Sequence, residues 1–151
     1  MELDDYRKKI IFAYDCEVEA EAIYQGIADK LKNKNLKELF LTFAIEENSH
    51  HRMLRHFYNN PDNARKFDGL KEYGVTEPFE SSIQFDAMKP SDAFAMAIKT
   101  TERAMMQYKI LADGCSDPEQ KVVFHNLATI ESEHKLKLTE IFENIDFQEV
   151  W

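Results

Sequence analysis

Glu47 and His50 stand three residues apart, and so do Glu131 and His134. On a helix that spacing puts both members of a pair on one face. The remainder of each face is apolar. Phe40 and Phe43 precede Glu47 by seven and four residues and Leu54 follows it by seven, and Phe124, Leu127 and Leu138 bracket Glu131 in the same way. These carboxylates are therefore expected to point into a core. Glu17 repeats the pattern, in register with Ala13, Ala20 and Tyr24, with Glu21 one turn later as the competing acid. Ionised carboxylates are costly to bury and repel one another when gathered on an apolar seam. No Lys or Arg occupies these inner positions. Carboxylate oxygens beside imidazole nitrogens instead suit two divalent transition ions such as iron or manganese. Three such carboxylates with two neutral imidazoles carry three negative charges, and a fourth would make four, which two such ions cancel.

The two pairs belong to a duplication. A shift of 84 positions lays Tyr24 on Tyr108, Ala28 on Ala112, Asp29 on Asp113, Phe40 on Phe124, Ala44 on Ala128, Glu47 on Glu131 and His50 on His134. Helical periodicity alone would repeat the hydrophobic residues and not the polar ones.

Positioning such groups calls for long helices, and the composition favours them. Only 4 Gly and 4 Pro occur in 151 residues. Ile10, Ala13, Ala20, Ile23, Tyr24, Ile27 and Leu31 recur at helical steps and predict a first helix over about 4–32. The polar pause Asn33-Lys34-Asn35 supplies N-cap candidates for a second over 36–58. Pro90 suits the first turn of a third helix over 90–113, and Asp117-Pro118 opens a fourth over 118–144. Residues 59–89 show no sustained period and read as a crossover connection packed by Phe67, Tyr73, Phe79 and Phe85. The expected fold is an all-α antiparallel four-helix bundle, two helical hairpins joined by that long connection, in a single domain covering 1–151.

Charge and composition narrow the function. Lys and Arg total 19 against 28 Asp and Glu, a net charge of −9, which disfavours nucleic acid as a partner. No run of about 18 apolar residues marks a membrane span, and the first residues lack a secretory signal, so a soluble cytoplasmic protein is expected. Cys16 and Cys115 have no C-x-x-C partner and are expected to be small core residues. His51, His56 and His125 fall off the paired faces and are expected at the surface, as are Glu46 and Glu133, with a possible part for these two acids as outer acceptors for the ligands.

The two E-x-x-H runs in symmetric repeats resemble the ferritin-like di-iron carboxylate superfamily, and Glu17 with Tyr24 and Ala28, followed by Phe40, Ala44 and Glu47-x-x-His50, is most similar to its rubrerythrin-like branch. The resemblance covers about 10–58 and 90–142. It implies a ferritin-like bundle holding two iron ions, with manganese or zinc as alternatives, on Glu17, Glu47, His50, a helix-three acid, Glu131 and His134. The repeat carries Glu17 onto Thr101, and the nearest acid is Glu102, about 100° further round an ideal helix. A local distortion of helix three that turns Glu102 inward is expected, with Thr101 as the alternative.

The resemblance further implies an oxidoreductase that reduces hydrogen peroxide or dioxygen with electrons from the metal pair, as a peroxidase or ferroxidase, and a homodimer. Full-length rubrerythrins carry a rubredoxin module with four cysteine ligands, for which these 151 residues have no counterpart. Electrons would then come from a separate donor protein or from Fe²⁺ itself. The competing readings are a non-catalytic iron-binding or iron-delivery module, and a structural descendant without metal whose buried acids stay protonated.

Overall fold

Sequence stretches free of interior proline become four helices in a computed structural model, whose described residues are 1–61, 85 and 87–151. They are α1 (Leu3–Lys30), α2 (Lys34–Asn59), α3 (Pro90–Gly114) and α4 (Pro118–Asn144), with no strand among the described residues. The Asn33 side chain accepts the Leu36 N–H at 3.0 Å, the N-cap expected from the polar pause. Pro90 and Pro118 open α3 and α4, where a missing N–H costs nothing. Asp117 occupies the N-cap position of α4, but its carbonyl is what engages the helix, accepting the Lys121 N–H at 2.9 Å.

The close helix pairs are α1 with α2, α3 with α4, and α1 with α3. That arrangement leaves α2 and α4 facing each other across the more open side of the bundle. Inside are two apolar clusters. One gathers Ile10, Met53, Leu54, Phe57, Tyr108, Leu111 and Phe124, the other Ile23, Tyr24, Ile27, Phe40, Phe94 and Leu138. Six of these rings, Tyr24, Phe40, Phe57, Phe94, Tyr108 and Phe124, are fully buried, each contributing about 2–3 kcal/mol of transfer free energy. Their burial offsets the cost of the polar layer lying between the clusters.

Beyond α4 the chain continues usefully. Phe147 packs its ring on Phe94 and Phe142 at 5.8 and 5.3 Å, and the Val150 carbonyl accepts the Lys32 N–H at 3.3 Å, so the C-terminal residues close the end of the bundle at the α1–α2 turn. Helical periodicity stops at Asn144 and says nothing of this. Of the connection 59–89, Phe67, Tyr73 and Phe79 lie outside the described residues, while the Phe85 ring rests on α1 where Gly26 has no side chain. Cys16 and Cys115 are both buried and reduced, as expected, and burial beside Glu17 pushes the Cys16 thiol up to about 12.

Candidate metal centre

Five of the six residues singled out by spacing meet in the layer between the two clusters. Glu17 comes from α1, Glu47 and His50 from α2, and Glu131 and His134 from α4, all of them buried. Donor atoms of Glu17, Glu47, His50 and Glu131 lie within 4.8 Å of one another. His50 Nδ1 is 2.7 Å from Glu17 Oε2, 3.2 Å from Glu131 Oε1 and 3.7 Å from Glu47 Oε1. His134 Nδ1 is 3.0 Å from Glu47 Oε1 and 3.7 Å from Glu131 Oε2. Glu47 and Glu131 thus reach both imidazoles, and Glu17 stands on the His50 side.

Several of these atoms are orphaned. Glu17 Oε1, both oxygens of Glu47, Glu131 Oε2 and His134 Nδ1 have no hydrogen-bond partner among the described residues, because the short approaches around them are not aligned as bonds. A buried polar atom left unpaired costs about 1–3 kcal/mol, so five of them in one layer require an occupant. All five belong to groups that ligate divalent transition ions, and the residues present therefore fit a metal pair.

The protonation pattern describes the same demand. Burial and the charges of Glu131 and Glu47 hold the Glu17 carboxyl well above its ordinary range. Burial works against ionisation of Glu47 too, but the His50 charge and the close approach of the His134 and His50 imidazoles win and hold it well below. Burial opposes the charged form of both imidazoles, yet the carboxylates prevail: Glu47, Glu131 and Glu17 hold His50 well above its ordinary value, and Glu131, Glu46 and Glu47 push His134 up to about 12. Without a cation, then, protons take over the neutralisation. Tyr24 and Tyr108 border the layer from the two clusters, and burial beside its carboxylates raises both phenols well above their ordinary value.

Glu102 is the correction. The helix α3 runs regularly from Pro90 to Gly114, without the distortion expected to turn Glu102 inward. Residue 101 faces the core and residue 102 is rotated about 100° away, so the carboxylate lies at the surface, 3.7 Å from Lys135 Nζ. Thr101 occupies the inner position fully buried, its Oγ1 2.6 Å from the Tyr24 hydroxyl, and Tyr24 thereby pairs with a hydroxyl where a ligating carboxylate was expected. Among the described residues the centre gathers three carboxylates, Glu17, Glu47 and Glu131. Replacing Glu102 by alanine is expected to leave metal content unchanged within error, as read by metal analysis of the purified variant; a loss of one ion per chain would return Glu102 to the ligands.

Glu21 does not compete with Glu17. Its carboxylate accepts from Asn48 Nδ2 at 2.8 Å and from His51 Nε2 at 2.9 Å, making a separate buried cluster between α1 and α2. His51 was expected at the surface, but the broad contact of α1 on α2 covers it, with its ring edge-on to Tyr14. His125 is exposed as expected. Glu46 is half-exposed, and its Oε2 accepts a hydrogen bond from His134 Nε2 at 2.5 Å.

Two like hairpins closing on a buried layer of carboxylates and imidazoles make a ferritin-like four-helix bundle with a candidate metal site. A Thermotoga maritima structure described as a ferritin-like diiron-carboxylate protein shares the fold at a TM-score of 0.70 and 19% identity, covering 95% of this chain and 96% of that one. A hypothetical protein from Pyrococcus furiosus aligns at a TM-score of 0.68 and 25% identity, over 91% of this chain and 88% of that one. No curated protein matches the chain. Residues 10–142 match the rubrerythrin family, and the chain belongs to it.

Proposed function

We propose that the centre holds two iron ions on Glu17, Glu47, His50, Glu131 and His134, and that the chain is an oxidoreductase reducing hydrogen peroxide or dioxygen. The observation that carries this reading is the set of orphaned donors on Glu17, Glu47, Glu131 and His134. When bound, such a pair supplies one electron from each ion to the oxidant. Glu47 and Glu131 reach both imidazoles and would hold the two ions together; Glu17 would serve the His50 side alone. The apolar clusters exclude bulk water from either end. A cleft of about 370 Å³ between α2 and α4, lined by Phe43, Glu46, His50, Glu133, His134 and Lys137 among others, borders both imidazoles.

We propose that the electrons come from a separate donor protein or from Fe²⁺ as substrate. No helix among the described residues is long and apolar enough to cross a membrane. With the exposed side chains of Ile11, Phe12 and Ile45 on α1 and α2, we take the working form to be a cytoplasmic homodimer. The second reading, a non-catalytic iron-binding or iron-delivery module, is favoured by Thr101 standing where a fourth carboxylate was expected.

Anaerobic loading with Fe²⁺ followed by metal analysis is expected to give two ions per chain, and addition of hydrogen peroxide with an artificial reductant to give repeated turnover. Two ions without turnover would favour the binding module. Protein that takes up no iron would sink both readings and leave a buried network of carboxyl groups and imidazoles neutralised by protons.

A further inference from the structure

The 84-residue repeat makes the two halves of the centre directly comparable, and they differ twice. Glu17, beside His50, corresponds to Thr101, so among the described residues the His134 side has no carboxylate of its own at the centre besides the shared Glu47 and Glu131. Glu46, on the outer nitrogen of His134, corresponds to Ile130, so the outer nitrogen of His50 is buried without a partner among the described residues. Each half therefore has one further carboxylate, in a different place: Glu17 directly at the centre, Glu46 behind the imidazole.

A carboxylate behind a ligating imidazole has a defined effect. Carboxylate oxygens only accept, so in the neutral imidazole that metal ligation requires, the hydrogen bond to Glu46 Oε2 would keep the remaining proton on His134 Nε2 and free Nδ1, the nitrogen that faces Glu47 and Glu131. It also fixes the ring orientation and makes the imidazole a stronger donor. Charge agrees. Glu17, Glu47 and Glu131 carry three negative charges against four positive ones on two divalent ions, and Glu46 restores the balance.

We propose that Glu46 takes over, through His134, the part of the carboxylate that α3 lacks: it is the positioning residue on which the second ion depends, and the position formed by Glu17, Glu47, His50 and Glu131 fills first. This rests on the metal-pair reading above.

Calorimetric titration of the whole metal-free protein with Fe²⁺ under anaerobic conditions tests it. The wild type is expected to bind in two steps of one ion each. In E46A the second step is expected to weaken by roughly 10–100-fold while the first stays in place, and E46Q, whose amide oxygen still accepts the hydrogen bond without charge, should fall between them. Imidazole NMR of the diamagnetic Zn²⁺-loaded protein supplies a readout that a packing role would not move: the His134 Nε2–H proton should exchange slowly in the wild type and be lost from view in E46A. An unmoved second step in E46A, or equal weakening of both steps, overturns the proposal while leaving the metal pair intact. A wild type that binds no ion overturns the metal-pair reading and this proposal with it.

Discussion

Glu47→Ala is expected to empty both metal positions at once. Both oxygens of Glu47 are buried without a hydrogen-bond partner among the described residues, and the side chain approaches both His50 and His134. The regular α3 places Thr101 at the centre and brings no carboxylate in as a substitute. Loss of a shared ligand should therefore exceed the loss from an outer partner, weakening retention of both ions by at least about 100-fold. Metal analysis after desalting would show protein nearly free of iron, whereas a variant that retains two ions would remove Glu47 from the ligands. The metal-free protein should suffer as well. Glu47 is the ionised partner of two protonated imidazoles, and removing one side of a buried ion pair costs about 3–5 kcal/mol. For a chain of this size that corresponds to a fall in melting temperature of about 6–20 °C. Glu47→Gln separates the effects, since it keeps the shape and removes the charge.

The second large effect is that metal-free and metal-loaded protein respond oppositely to pH. In the metal-free centre Glu17, His50 and His134 all have raised values, so each holds a proton that ligation must displace. Binding then releases up to three protons, and affinity rises with pH. For His134 the folded-state value of about 12 lies above the ordinary value of 6.5. Its contribution to stability is complete below 6.5 and fades as pH climbs toward 12. His50 and Glu17, also raised, act in the same sense, Glu17 from its lower ordinary value of 4.5 upward. Glu47 is depressed and acts the other way, its contribution present above 4.5 and lost as acid protonates it. From this centre, metal-free protein should therefore lose stability on going from pH 5 to pH 8, while the gain in melting temperature on adding Fe²⁺ or Mn²⁺ grows over the same interval. Calorimetry in buffers of different ionisation enthalpy would count the protons. A stabilisation by metal that shrinks as pH rises would contradict the assignment of these three groups as proton-bearing ligands.

The contrast between Glu17 and Glu102 shows where local information ends. Glu17 lies in step with Ala13, Ala20 and Tyr24, so its direction follows from the period of its own helix, and it arrives at the centre. Glu102 is one residue out of step, and placing it inside required a distortion of α3 that the helix does not have. Thr101 obeys the repeat, and the repeat was the better guide. His51 teaches the complementary lesson: it falls off the paired face, yet the closeness of α1 to α2 buries it against Glu21.

Four helices, two matching hairpins and the inward course of Glu17, Glu47, His50, Glu131 and His134 were determined by the sequence itself, because helical period and an 84-residue repeat are properties of the chain read along its length. The tertiary structure decided what residues far apart in sequence do to each other. It set Glu46 on His134 across 88 positions, opened the cleft between α2 and α4, and folded Phe147 and Val150 over the end of the bundle. Those features depend on how far apart two helices lie and how each is rotated about its axis. Packing of whole faces sets both, and no local pattern of residues encodes them.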